Sequence, residues 1–79
     1  MEDALRIRVS RYVSYVLRHN PEGLEMDGEG FVDLDGLVVK VRRRFPSVDR
    51  SFLLKMVDEG ERTRFEIVGG KIRALYGHT

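Results

Sequence analysis

The sequence predicts an α+β domain of three helices followed by a C-terminal β-hairpin. Apolar residues recur at helical spacing in three separate stretches. Acids able to cap a helix, Asp33 and Asp49, precede the second and third of these. Near the C-terminus, two β-rich arms flank Gly69-Gly70, a two-residue turn that favours positive φ.

The first helix is expected over residues 3–19, with Leu5, Val9, Tyr12, Val13 and Val16 as its apolar stripe. Asn20-Pro21 ends it, because the residue before proline is pushed out of the α region. Arg11 and Arg18 project almost opposite the stripe, flanked by Arg8 and Tyr15. Ala4 and Ile7 share that face, which is unusual for a purely solvated surface.

Gly28 and Gly30 mark a turn, and Phe31-Val32 reads as a short extended piece. Asp33 then caps a helix carrying Leu34, Leu37, Val38, Val41 and Phe45, regular to about Arg44 and stopped by Pro46. The β-branched run Leu37–Val41 competes with this assignment. Asp49 caps a third helix through Glu59, with Phe52, Leu53, Met56 and Val57 on its buried side and Gly60 as its end. In the hairpin, a turn at Gly69-Gly70 pairs Ile67 with Ile72 and Phe65 with Ala74 on one face, and Glu66 with Arg73 on the other. Helix, short strand, helix, helix and hairpin is the order of a winged helix. A solitary hairpin hides its apolar face only by folding back on the helices.

At 79 residues the chain makes one small domain, with about 60% of its unfolded surface buried. Its 42% hydrophobic and 34% charged residues exclude a disordered tail. No apolar run approaches the ~20 residues of a membrane span. The charged start "MEDALRIR" has no signal-peptide core, so a cytoplasmic location is expected. Without cysteine there is no disulfide or thiolate zinc site, and two histidines make a poor metal centre, so no metal is expected.

Net charge is only +1, but it is unevenly placed. Residues 21–35 carry six acids and no base, whereas residues 36–50 carry five bases against Asp49. Arginine outnumbers lysine eleven to three, and its planar fork matches phosphate oxygens better than an ammonium does.

Three cationic groups stand out: Arg18-His19 at a helix end, Arg42-Arg43-Arg44 closing the second helix, and Arg64 with Arg73 on the hairpin. Composition and spacing alone favour ordinary structural roles. Cations at a helix C-terminus gain roughly 0.3–1 kcal/mol each from the macrodipole. Arg73 opposite Glu66 fits a cross-strand ion pair. A functional role needs convergence. In a winged helix the hairpin lies beside the first helix, so Arg73 would approach Arg18 and His19. Two guanidinium groups and an imidazole around one hollow would suit a phosphate dianion.

The segments "VSRYVSYVLRHNPEGLEMDGEGFVDLDGLV" and "RTRFEIVGGKIRALYGHT" closely resemble the amino-terminal lobe of the RNA 2'-phosphotransferase family. The markers are Leu-Arg-His-Asn-Pro, Gly-Phe-Val-Asp, Arg-Phe-Glu-Ile, Gly-Lys-Ile-Arg-Ala and the closing Gly-His-Thr, in order over residues 9–79. The resemblance implies a winged-helix RNA-binding lobe over residues 1–79, with the NAD-binding ADP-ribosyltransferase-like lobe absent from this chain. It implies removal of an internal RNA 2'-phosphate, as at a tRNA splice junction, with NAD as co-substrate. The products are 2'-OH RNA, nicotinamide and ADP-ribose 1'',2''-cyclic phosphate.

By position in the motifs, Arg18, His19 and Arg73 match the family's catalytic residues. His78 matches its NAD-contacting histidine, and Lys71, Arg64 and Arg11 are candidates for RNA binding. Phe31 stands where tryptophan is usual, which should preserve core packing with less area. Arg62 replaces a common lysine and Thr79 a usual serine. A further catalytic arginine and most NAD contacts are expected in the second lobe, so this lobe alone is expected to be inactive. The alternatives are a winged-helix DNA-binding module or a protein-interaction domain. The first would read DNA through its third helix, yet Arg50, Ser51, Lys55, Asp58 and Glu59 give that helix a mixed surface.

Overall fold

The computed structural model describes residues 3–19, 23–60 and 64–75. Asn20-Pro21, Arg62, His78 and Thr79, each singled out above, lie outside the described residues. The architecture is α+β: helices α1 (Asp3–Arg18), α2 (Leu34–Arg44) and α3 (Arg50–Gly60), and strands β1 (Val32–Asp33), β2 (Phe65–Val68) and β3 (Lys71–Ala74). None of the helices is long and apolar enough to cross a membrane.

α1 follows its apolar period. Val9, Val13, Val16 and Leu17 are buried, with Leu5 and Tyr12 packed at the margin. The helix ends at Arg18, one residue earlier than expected, although the His19 N–H still reaches the Tyr15 carbonyl at 2.8 Å. α2 overrides the β-branching of its sequence because helical spacing buries Leu34, Leu37 and Val41 completely and turns Val39 outward. α3 extends through Gly60 rather than stopping at Glu59, and buries Leu53, Met56 and Val57. Asp49 Oδ1 accepts from Phe52 N at 2.9 Å, the cap that the sequence implied.

The hairpin register is the expected one: Phe65 faces Ala74, Glu66 faces Arg73, and Ile67 faces Ile72. Gly69 and Gly70 both have positive φ, 56° and 79°, as a two-residue turn of this hand requires. The sequence reading did not foresee a third strand in the sheet. β1 pairs antiparallel with β3, Val32 to Ile72 and Asp33 to Lys71, so the strand order is β1-β3-β2 and β3 is central. Two residues are too few for an alternation pattern to announce a strand.

One junction fastens the sheet to the helices. The first N–H groups of a helix lack intrahelical partners. At α2, the Asp33 carboxylate accepts from Gly36 N at 2.9 Å, and the Gly70 carbonyl, in the hairpin turn, accepts from Leu34 N at 2.9 Å. The turn thus caps the helix. Replacing Asp33 with alanine should lower unfolding free energy by about 1 kcal/mol, read as a shifted urea midpoint with unchanged slope.

Candidate functional site

β3 is the element that gathers the site. Its alternation sends Ile72 into the core and leaves Lys71 and Arg73 on the opposite face. Arg73 is held on three sides. Its Nε and Nη2 donate to Glu66 Oε1 at 2.8 and 2.7 Å, across the strand pair. Nη1 donates to the Glu29 carbonyl at 3.1 Å, and the guanidinium carbon sits 4.7 Å from the centre of the Phe31 ring. Those bonds use three of the five guanidinium N–H donors. Phe31 is therefore not a core residue. It is half-buried, lies outside the buried cluster, and serves as the platform beneath Arg73.

The loop before β1 supports that platform. Asp27 Oδ1 accepts from Glu29 N and Phe31 N, both at 2.9 Å, while Asp27 N donates to the Phe31 carbonyl at 2.9 Å. These bonds place both the carbonyl and the ring that Arg73 uses. The two backbone N–H donors, from Phe31 first and then Glu29, hold the Asp27 carboxyl below its ordinary value, with a smaller contribution from the Lys71 charge. Lys71 Nζ lies 3.9 Å from Asp27 Oδ2.

Arg18 arrives from the end of α1. Its Nη2 donates to the Leu75 carbonyl at 2.9 Å. Leu75 is two residues beyond Arg73 on the same extended segment, a separation of roughly 7 Å. The structure thus brings the Arg18 guanidinium to the end of the strand that carries Arg73. His19 is exposed at the same helix end, its ring 5.7 Å from that of Tyr15 and tilted by 37°. Arg64 stands at the facing end of the hairpin, where its carbonyl accepts from Leu75 N at 2.7 Å. Arg11 is not with this group: it lies on the α1 surface beside Tyr12, Tyr15 and Arg44. His78, expected to touch NAD, is outside the described residues.

A hollow of about 760 Å³ opens beside the Arg73–Glu66 pair, floored by Leu54, Val57, Phe65 and Ile67. A concave apolar floor with a few fixed polar groups is the usual form of a ligand site. Among the described residues, no cluster of His, Asp and Glu could hold a metal ion.

Sequence reasoning missed three residues that hold the site: Asp27, Glu29, and Phe31 as a platform. Glu66 was legible as a cross-strand neighbour. Asp27 could have been found as an Asx-turn acid two residues before a backbone donor. Glu29 acts through its backbone carbonyl, which no side-chain motif reveals.

Comparison with known proteins follows the same residues. The chain matches the family model described as "RNA 2'-phosphotransferase, Tpt1 / KptA family" over residues 4–79. The chain belongs to this RNA 2'-phosphotransferase family. It is 45% identical over 78 residues to a "Probable RNA 2'-phosphotransferase" of Pyrococcus abyssi, covering 96% of this chain and 43% of that protein. It is 42% identical over 74 residues to one of Pseudomonas aeruginosa, covering 89% of this chain and 41% of the relative. A third, from Acetivibrio thermocellus, is 41% identical over 76 residues, covering 91% and 42%. The chain spans less than half the length of these family relatives.

Two outcomes test this geometry. Asp27 has a lowered pKa, so its contribution to stability is complete above its ordinary value near 3.8 and is lost as pH falls through the lower folded value. An NMR titration of the Phe31 amide should show a midpoint below pH 3.8, and Asp27→Asn should abolish that transition. Glu66→Gln leaves Arg73 its ring platform and carbonyl but removes its cross-strand charge partner. Stability should fall by about 0.2–1 kcal/mol, read as a lowered urea midpoint.

Proposed function

We propose that this chain is the RNA-binding lobe of an NAD-dependent RNA 2'-phosphotransferase, folded as a winged helix with β2 and β3 as the wing. In this reading the lobe presents an internal 2'-phosphate, such as that at a tRNA splice junction, for transfer to NAD. The products are RNA with a free 2'-hydroxyl, nicotinamide and ADP-ribose 1'',2''-cyclic phosphate. The observation that carries the reading is the Arg18 hydrogen bond to Leu75, two residues past Arg73 on the same extended segment. It supports the reading by bringing Arg18 to the end of the strand that carries Arg73.

The roles follow from the groups. A phosphate at this corner faces the C-terminal end of α1, where the helix dipole repels anions. Binding must come from side-chain cations, and arginine supplies permanent charge with a bidentate fork. Arg73 is the fixed partner, oriented by Phe31 and Glu29. Arg18 would reach the phosphate from the end of α1, beside the Leu75 carbonyl it bonds. Both then stabilise negative charge as it redistributes during transfer. His19 stands exposed at the same helix end, placed to contact the phosphate or carry a proton at the attacking hydroxyl. Lys71 and Arg64 would meet neighbouring backbone phosphates. NAD would accept the phosphate, held mainly by a second lobe beyond these residues with His78 as the contact from this chain. No residue described here is assigned to NAD.

The DNA-binding alternative gains little from α3. Arg50 is engaged by Asp35 at 3.3 Å, and Asp58 and Glu59 are exposed on the same helix. With Lys55 also exposed, the charges of this helix balance, so its surface offers a phosphate backbone little net attraction.

The chain should bind an oligoribonucleotide with an internal 2'-phosphate more tightly than the same RNA without it, shifting the NMR signals of Arg18, His19 and Arg73. Arg18→Ala or Arg73→Ala should each remove that preference by roughly 10–100-fold, the loss expected for a charged hydrogen-bond partner. Arg73→Lys should not restore it. With NAD present, the 79-residue chain alone should give no cyclic ADP-ribose phosphate. Robust product, or equal binding of both RNAs, would overturn the assignment.

A further inference from the structure

We propose that the hollow between α1 and the end of α2, lined by Arg8, Arg11, Tyr12, Tyr15, Arg44 and Phe45, is a second RNA subsite. It would hold the single strand flanking the 2'-phosphorylated nucleotide. The proposal rests on the reading that this lobe binds RNA, and it concerns a different surface from the Arg18–Arg73 corner.

The hollow measures about 370 Å³. Three arginines from two helices converge on it, and no carboxylate is in its lining among the described residues. That sets it apart from three cations elsewhere on the surface. Arg73 is matched by Glu66, Lys71 by Asp27 and Arg50 by Asp35. In the hollow, positive charge rests on aromatic rings instead. The Arg8 guanidinium lies 5.5 Å from the Phe45 ring centre, and that of Arg44 lies 5.3 Å from Tyr12 and 5.9 Å from Phe45. Tyr12 and Phe45 meet edge to face at 5.9 Å, which keeps this base rigid. A ring attracts a cation without supplying an acceptor in the guanidinium plane, so the N–H donors stay available for an anion. Three like charges held together without a counter-charge are costly, and a bound polyanion removes the cost.

The aromatic element favours a nucleic acid strand over an acidic peptide. Tyr15 is 52% exposed on the rim of the hollow. Its ring also meets that of His19, so it forms the step between the hollow and the phosphate corner. Basic side chains interleaved with an exposed ring provide both backbone neutralisation and a stacking platform. The spacing suits a short strand. Arg11 and His19 are eight residues apart on one helix face, roughly 12 Å, or about three to four stacked nucleotides.

Fluorescence anisotropy on the 79-residue chain tests this. The probes are a labelled dinucleotide and a labelled heptanucleotide, each with an internal 2'-phosphate. The heptanucleotide should bind at least tenfold more tightly. Arg11→Ala with Arg44→Ala should erase that advantage and leave dinucleotide affinity unchanged. The slope of log affinity against log salt should fall by about 0.7 for each arginine removed. Tyr15→Ala should weaken the heptanucleotide about tenfold with the slope unchanged. Arg44 also covers Tyr12 and Phe45, so Arg11→Glu alone serves as the variant that spares the packing. It should reproduce the loss with the wild-type melting temperature. Arg43→Ala, exposed on α2 outside the hollow, should alter neither probe. A wild-type chain with no length preference would overturn the proposal. So would hollow variants that keep it, an Arg43→Ala loss equal to that of Arg11→Glu, or competition by a poly-glutamate peptide as strong as that by unlabelled RNA. A dinucleotide bound no better than its unphosphorylated form would instead sink the phosphate corner itself.

Discussion

Burial of Ile72 ties the molecule together. This residue sits on the central strand, opposite Ile67 on one side and Val32 on the other, with no exposed surface. A free two-stranded hairpin is marginal in water. Ile72 becomes dry only if β1 joins the sheet and the sheet lies over the Val9–Val13–Val16 stripe of α1. Once that happens, strand alternation leaves no choice about Arg73, which must project from the other face. The same docking carries the last residues of the hairpin to the end of α1, where Leu75 meets Arg18. Core packing and site assembly are therefore one event.

The electrostatics of the site run against its own backbone. Helix N-termini attract anions, but the proposed phosphate sits at a C-terminus. The chain compensates with fixed cations, and it must then keep them in place without a ligand. Arg73 is stored against Glu66, a ring and a carbonyl. Arg18 is stored on a carbonyl. Each arrangement holds the guanidinium near its working position at low cost, since a partly exposed ion pair contributes little net stability. In the proposed reading, a phosphate dianion would offer Arg73 more charge than Glu66 does, so that partners could be exchanged locally.

What the sequence made legible were features with a local cause. The hairpin register came from two glycines and alternating apolar residues, and both caps came from an aspartate before an apolar run. Helix ends shifted by a residue at α1 and α3, where terminal turns fray into neighbouring structure. The pairing of β1 was hidden because Val32-Asp33 has no meaning as a strand until β3 lies beside it. Phe31 reads as core on hydrophobicity alone. Its position one residue before Val32 puts it on the opposite face, and only the sheet reveals that face. The sequence reading brought Arg73 itself to Arg18 and His19 by element order; the structure shows Arg18 bonded to the Leu75 carbonyl, just past the strand that carries Arg73.

The contrast between compensated and uncompensated cations bears on what each surface is for. In the proposed reading, Glu66 would compete with a weakly bound anion at Arg73 and so disfavour singly charged backbone phosphates against a dianionic 2'-phosphate. Around Arg8, Arg11 and Arg44 no carboxylate lines the hollow among the described residues, so singly charged phosphates would meet less competition there. If the chain binds RNA as proposed, finding one modified nucleotide within a long polyanion would call for both behaviours: weak retention of any strand, and a stricter test at one corner. The Tyr15 ring on α1 meets that of His19 just past the helix end, which would align a strand held in the first surface with the second.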